Sequence, residues 1–541
     1  MTNLPIPGPP AEIRRRSLIV AVAALSGAAA FTLPDTRAAH AAAVRTDPFA
    51  LGVAAGDPLP NALVLWTRLV KDPYDATSMP ARDVTVKYEI STDSRFRSIV
   101  KRDDAIARSN WAHSVHVEAD QLQPATDYYY RFRSGDFISP TGHARTAPAA
   151  GTSPTRLRFA VANCQDYQNG YWPAYDAIAD EDIDFVLHLG DYIYEYDPKS
   201  VYHDRRHTSP QTAGLNQLLT LSDYRARHAQ YKLDPALQAA HAHAAWIATW
   251  DDHEVENNYA GVTDEISDTG AKHQSKTRFG RERAAGYQAY YEHMPIRVNY
   301  TRGSSNLRLY RRFDFGDLAR FSVLDTRQYR TDQPPGYGHD VGPESAGKAN
   351  THGTLTGATQ ESWLKSGLTG SAARWNVIAQ QVMMSRAQLP STLKSHPVVA
   401  DLDAWDGYAP FRTRVLKFIQ SSGVSNPVVL SGDIHSTWMN NLVLNPDDPH
   451  AKVIASEFVS TSISSGFAAA SDASIKKNLA RLNPQTRYFE GARRGYLRVD
   501  ADRERWLTEA RTVASIAHRT SPVSTTAKFA VERNTPGIVP A

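Results

Sequence analysis

The chain has 541 residues, of which 42% are apolar, 10% aromatic and 22% charged, so it buries a large core and exceeds one ordinary domain; a disordered or fibrous chain is excluded. Sixty Lys and Arg against 57 Asp and Glu leave a net charge of +3, and residues 1–41 account for +2 of it through Arg14, Arg15, Arg16 and Arg37 against Glu12 and Asp35. That near balance excludes a nucleic-acid binder that depends on a basic field, and the single cysteine, Cys164, excludes an intramolecular disulfide framework and any multi-cysteine zinc or iron–sulfur site.

In chain order, Arg14-Arg15-Arg16-Ser17-Leu18-Ile19 leads into Leu18–Leu33, sixteen apolar or small residues without a charge, closed by Pro34. Small-x-small sites follow at Ala39-His40-Ala41 and Ala41-Ala42-Ala43. Basic start, short apolar middle and small-residue end predict a secretory signal over residues 1–43. The apolar run falls short of the ~20 residues that span a bilayer. The paired arginines resemble a twin-arginine signal, which implies the twin-arginine export machinery as a partner and a secreted enzyme that folds and loads metal before export.

Residues 44–147 predict an all-β, fibronectin- or Ig-like sandwich. Val84, Val86, Tyr88 and Ile90 alternate with polar neighbours, and Leu122–Arg131 (LQPATDYYYR) resembles a tyrosine-corner strand. Pro148–Thr155 reads as a linker. From residue 155 to 510, apolar strand-like runs alternate with longer polar or helical stretches: Leu157–Ala162, Ile183–Leu189, Ala245–Trp250, Ala319–Leu324, Trp375–Ala379, Val428–Leu430 and Val453–Val459. Such alternation predicts a layered α/β domain. Residues 511–541 form a Ser-, Thr- and Pro-containing tail to which the sequence assigns no role.

Several runs end in chemistry. Leu157–Ala162 is followed by Asn163-Cys164, Ile183–Leu189 by Gly190-Asp191-Tyr192-Ile193-Tyr194, Ala245–Trp250 by Asp251-Asp252-His253-Glu254, and Val428–Leu430 by Ser431-Gly432-Asp433-Ile434-His435. Carboxylate, phenol, thiol and imidazole groups thus collect at the carboxyl ends of strands, where layered α/β folds place their sites. Singly, each has a plainer structural reading; together they supply the separated ligands and the bridging carboxylate of a binuclear metal site.

These segments resemble the calcineurin-like metallophosphoesterases and, among them, the PhoD-type alkaline phosphatases. The matching stretches are Phe159–Gly170 (FAVANCQDYQNG), His188–Tyr196 (HLGDYIYEY), Thr249–Tyr259 (TWDDHEVENNY), Leu430–Trp438 (LSGDIHSTW), Leu51–Pro58 (LGVAAGDP), Val64–Arg68 (VLWTR) and Gln360–Leu364 (QESWL). The fold implied is a β-sandwich flanked by helices, preceded by the all-β sandwich. The general family pattern is altered: Asn163-Cys164 replaces an Asp-x-His pair, Asp252 stands where Asn is usual, and Asp433 where His is usual.

By that resemblance, Cys164, Asp191, Tyr194 and His435 hold one metal, and bridging Asp191, Asp252 and Asp433 hold a second. The anionic thiolate–phenolate set suits Fe3+, and the all-oxygen set suits Ca2+. His253 is the expected catalytic acid, and Asn163, Asn258 and Arg327 are candidate substrate contacts, with an Arg327–Asp325 ion pair as the structural alternative. The implied activity is hydrolysis of phosphate mono- or diesters. A phospholipase D acting on phospholipid at the same metal site is the second reading, and a non-catalytic secreted metal-binding or adhesion protein the third. The sequence does not address oligomeric state.

Overall fold

The computed structural model describes residues 46–541 apart from 76, 197–205, 207–217, 266–273, 336–340, 392–394 and 449. The export signal expected over residues 1–43 lies outside the described residues.

Each apolar run expected after residue 155 forms a strand. Three of them, Arg156–Ala162, Phe185–His188 and Ala245–Ala248, lie side by side and parallel. Four more, Ala319–Val323, Trp375–Ala379, Pro427–Ser431 and Ala455–Val459, form the parallel middle of a second sheet. These runs are apolar on both sides because both faces are covered. Phe159, Val161, Phe185, Leu187 and Ile247 point to the inter-sheet core with Phe321, Val377, Val428 and Phe458. Their neighbours Ala160, Ala162, Val186, Trp246 and Ala248 point outward to the helices Pro173–Ala179, Leu221–Lys232, Pro235–His243 and Lys276–His293. On the far side, Ile378, Val429 and Ala455 pack beneath Gly357–Thr369 and Ala409–Ser421. The result is a four-layer α/β/β/α sandwich.

The first sheet has ten strands and the second seven. The ten-stranded sheet does not stop at the linker. Val53–Leu59 pairs parallel with Ala245–Ala248, Ala62–Arg68 and Ser114–Ala119 follow it, and all three belong to the N-terminal region. Gly56 sits where a Cβ would press on the Trp246 carbonyl and the Pro295 backbone, so that junction admits no side chain. The second sheet of the N-terminal region, Ile99–Ala107, Val84–Ser91, Asp127–Ser134, Phe137–Ile138 and Gly142–Arg145, closes over Leu63, Leu65, Val86, Ile90, Tyr130 and Phe132. The Tyr128 hydroxyl accepts the Gln123 amide at 2.8 Å, the bond a tyrosine corner makes.

At the opposite edge, Val523–Glu532 and Thr535–Pro540 extend the ten-stranded sheet and bring Phe529, Val531 and Ile538 into the inter-sheet core. The C-terminal residues are therefore structural strands. Among the described residues, no helix is long and apolar enough to cross a membrane.

Candidate active site

The parallel strands of both sheets end at the same rim, and the chain turns sharply there. Cys164, Asp191, Asp433 and His435 all adopt positive φ, at 55°, 55°, 65° and 56°. Non-glycine residues rarely adopt this conformation, and its cost persists only where surrounding structure enforces it. The enforcement is visible: the Cys164 and Gln165 amides donate to the Gly190 and Asp191 carbonyls at 3.1 Å, and Ser464 and Ser465 donate to the Cys164 carbonyl. Gly190, at φ 112°, lies against the Asp251 backbone and Cβ, where any side chain would clash.

These turns gather three groups of donors. Cys164, Asp191 and His435 form one, Asp191, Asp252 and His253 another, and Asp191, Asp251, Asp252 and Asp433 the third; within each, donor atoms lie within 4.8 Å of one another. Asp191 belongs to all three. Its Oδ2 accepts the Tyr194 hydroxyl at 2.9 Å, while among the described residues no donor hydrogen-bonds to its buried Oδ1. Asp252 repeats the pattern, Oδ2 accepting the Asn258 amide at 2.7 Å and Oδ1 unpartnered. His435 Nδ1 lies 2.9 Å from the Gly466 carbonyl, which fixes the tautomer and turns Nε2 toward the Tyr194 oxygen, 3.3 Å away.

Burial opposes ionisation of all these acids, and only for Asp252 do neighbouring cations, Arg327 and then His253, outweigh it and hold the carboxyl below its ordinary range. Burial, then Asp191 and Asp433, push the Cys164 thiol well above its ordinary range. Burial and then the Asp191 and Cys164 charges do the same to the Tyr194 phenol. Burial also raises Asp191, although His253 opposes it. A thiol, a phenol and several carboxylates crowded this way need added positive charge to ionise, and their unpartnered oxygens offer it lone pairs. The donor set fits metal ions.

His253 lines the cavity beside this cluster. Its Nδ1 is 2.8 Å from Glu195 Oε2, and its ring stacks on Tyr194 at 4.1 Å and meets the edge of Tyr196 at 5.2 Å. Burial opposes protonation of the ring, yet Glu195, Asp252 and Asp191 outweigh it and hold the imidazolium well above the ordinary histidine range. Glu195 is itself buried, and its other oxygen accepts the Asn257 amide at 2.8 Å. Nothing in the local motif assigns Glu195 a role; the available signal is a lone carboxylate among the aromatic and apolar residues of Tyr192–Tyr196. Glu254 is a second residue to which the local motif assigns no role. It accepts the amides of Asp191 (3.1 Å), Tyr192 (2.7 Å) and Asp251 (2.8 Å), clasping two strand ends together.

The expected substrate contacts have other surroundings. Arg327 is fully buried. Its guanidinium meets Asp251 at 2.5 Å and Asp403 at 2.6 Å, with Asp433 and Asp252 at 3.4 and 3.5 Å. It neither faces the cavity nor ion-pairs with Asp325, whose carboxylate instead accepts the Arg327 amide at 3.1 Å. It is the counter-charge behind four aspartates. Asn163 is buried between the loops, its Nδ2 3.4 Å from the Ser460 carbonyl and its Oδ1 unpartnered; it does not line the cavity. Asn258 serves Asp252 through its amide, and it is the neighbouring Asn257 that borders the cavity.

A four-layer sandwich carrying clustered carboxylate, imidazole, thiol and phenol donors where its parallel strands end fits the class of metal-assisted hydrolases. A model of the PhoD-like phosphatases matches residues 159–510, and one of the PhoD-like phosphatase N-terminal domain matches residues 35–148. Alkaline phosphatase D of Bacillus subtilis (strain 168) is 43% identical over 491 residues, covering 91% of this chain and 82% of that protein. A solved structure titled "Structure of PhoD" superposes with a TM-score of 0.84 at 42% identity, covering 93% of each chain. The chain belongs to the PhoD-like phosphatase family and is a hydrolase of phosphoric esters.

Proposed function

We propose that this chain is a secreted, metal-dependent alkaline phosphatase and phosphodiesterase. The observation that carries the reading is the aspartate shared by all three donor groups, Asp191, with one buried oxygen unpartnered. Cys164, Asp191, Tyr194 and His435 would hold Fe3+, and Asp191, Asp252 and Asp433 would hold Ca2+. Bound there, the cations supply charge for the phosphoryl oxygens and lower the pKa of water.

The protein's own groups do the rest. Glu195 accepts from His253 Nδ1 and keeps the ring against Tyr194, so that Nε2 is left to carry a proton to the departing alkoxide. Arg327 offsets the aspartate charge from behind without occupying substrate space. The paired hydrogen bonds of Glu254 fix the Asp191 and Asp251 turns relative to each other. Arg14-Arg15 and the apolar run after them would direct the chain to the twin-arginine machinery, placing its work outside the cytoplasm.

The test is metal analysis of purified protein alongside hydrolysis of a monoester, a diester and phosphatidylcholine. Iron and calcium with turnover of the first two support the proposal. Turnover confined to phosphatidylcholine would favour the phospholipase reading, and metal without turnover the non-catalytic one.

A further inference from the structure

Arg493 and Arg494 are adjacent in the chain and differently employed. Arg494 is buried, and its guanidinium donates to Ser462 Oγ at 2.9 Å, to the Ser465 carbonyl at 2.8 Å and to the carbonyls of His435 and Gly491. The Arg493 carbonyl accepts Thr461 Oγ1 at 2.9 Å, and the Gly495 amide donates to the Ser462 carbonyl at 3.0 Å. The turn is thereby fastened to the loops that present His435 and Ser465 to the cavity. Arg493 is exposed and lines that cavity, and among the described residues its side chain has no carboxylate or hydrogen-bond partner.

The cavity measures about 690 Å³, a size that takes a ligand much larger than one phosphate. Tyr194, His253 and His435 mark the end where the scissile phosphate belongs; Phe467, Val513 and Ile516 supply apolar wall elsewhere. The pinned turn fixes the Arg493 backbone at the cavity, and a planar guanidinium without an internal ion pair keeps its donors and charge available to an anion there.

We infer that Arg493 is a specificity-determining residue that binds a second anionic group, a carboxylate or a further phosphoryl group, on the alcohol portion of the ester; the inference rests on the phosphoesterase reading above. Arg494 is a positioning residue for the turn that carries it.

The experiment compares phenyl phosphate, 3-carboxyphenyl phosphate and 3-phosphonophenyl phosphate as substrates of the metal-loaded protein and its Arg493→Gln and Arg493→Lys variants. Arg493→Gln should lose about fivefold in kcat/KM on at least one anionic ester, through KM, and less than about twofold on phenyl phosphate. Arg493→Lys should restore much of the difference, and added salt should shrink it. The ester that suffers more identifies the anion. Equal loss on all three esters would place Arg493 at the scissile phosphate, and no loss on any would make it a solvated surface residue; either overturns the inference. If the unmodified protein cleaves none of the three, the monoesterase part of the proposed function falls, and the inference with it, before any variant is compared.

Discussion

Lys232 closes the helix Leu221–Lys232 with its ammonium nitrogen 4.3 Å from the centre of the Trp66 ring and 5.2 Å from that of Tyr192, and it is only 2% exposed. The titratable groups that feel its charge are bases, His116, His188, His228, His241 and His293, with the Tyr192 phenol beside it. Burial alone lowers the lysine from 10.5 to about 7. Its folded-state value thus lies below its unfolded one. The unfolded chain holds the proton up to about pH 10.5 and the folded chain releases it near 7. Stability therefore rises with pH between those limits, and the penalty is nearly complete at pH 7 and complete below it. A fall of about 3.5 in pKa, at about 1.4 kcal/mol for each tenfold change, amounts to about 5 kcal/mol, some of it returned by the aromatic faces. Lys232→Met keeps the length of the side chain and removes the charge. It should stabilise the protein by several kcal/mol at pH 7 and by nearly nothing at pH 10.5. Denaturant unfolding of both proteins at the two pH values, at fixed metal concentration, reads this directly. A gain of the same size at both pH values, or a loss at pH 7, would refute the reasoning.

Ferric iron held by the Cys164 thiolate and the Tyr194 phenolate would absorb visible light, so Cys164→Ala should lower that absorption together with bound iron and most activity; iron and absorption retained in full would show the thiol is no ligand. His253→Ala should spare metal content while lowering kcat by about 100-fold or more, the usual worth of a general acid. A variant that also loses metal, measured by elemental analysis, would make His253 a ligand instead. Glu195→Gln keeps a hydrogen bond to Nδ1 but drops the charge that sustains the imidazolium, so the alkaline limb of the kcat–pH profile should move to lower pH. An unmoved profile would separate Glu195 from the proton transfer. Arg327→Met leaves Asp251 and Asp403 buried without their counter-charge and should cost about 3–5 kcal/mol in denaturant unfolding. A cost below about 1 kcal/mol would mean the aspartates share their charge elsewhere.

Local sequence determined the strands after residue 155, because a run such as Phe185–His188 that is buried on both faces must be apolar throughout. It also marked where chemistry collects, since Asp191, Asp252 and Asp433 immediately follow such runs. Pairing between distant segments was decided only by the fold. Glu195 meets His253 from 58 residues away, and Arg327 reaches Asp251 and Asp403, each 76 residues distant. Nothing local distinguishes a buried counter-ion from a substrate-gripping arginine, because the difference lies in which side of the strand ends faces the cavity. The same holds for the sheet that runs from Ser114–Ala119 through Val53–Leu59 into Ala245–Ala248 and on to Thr535–Pro540. Sequence supplies each strand's two faces, but its hydrogen-bonding edges look alike until register and packing choose the neighbour.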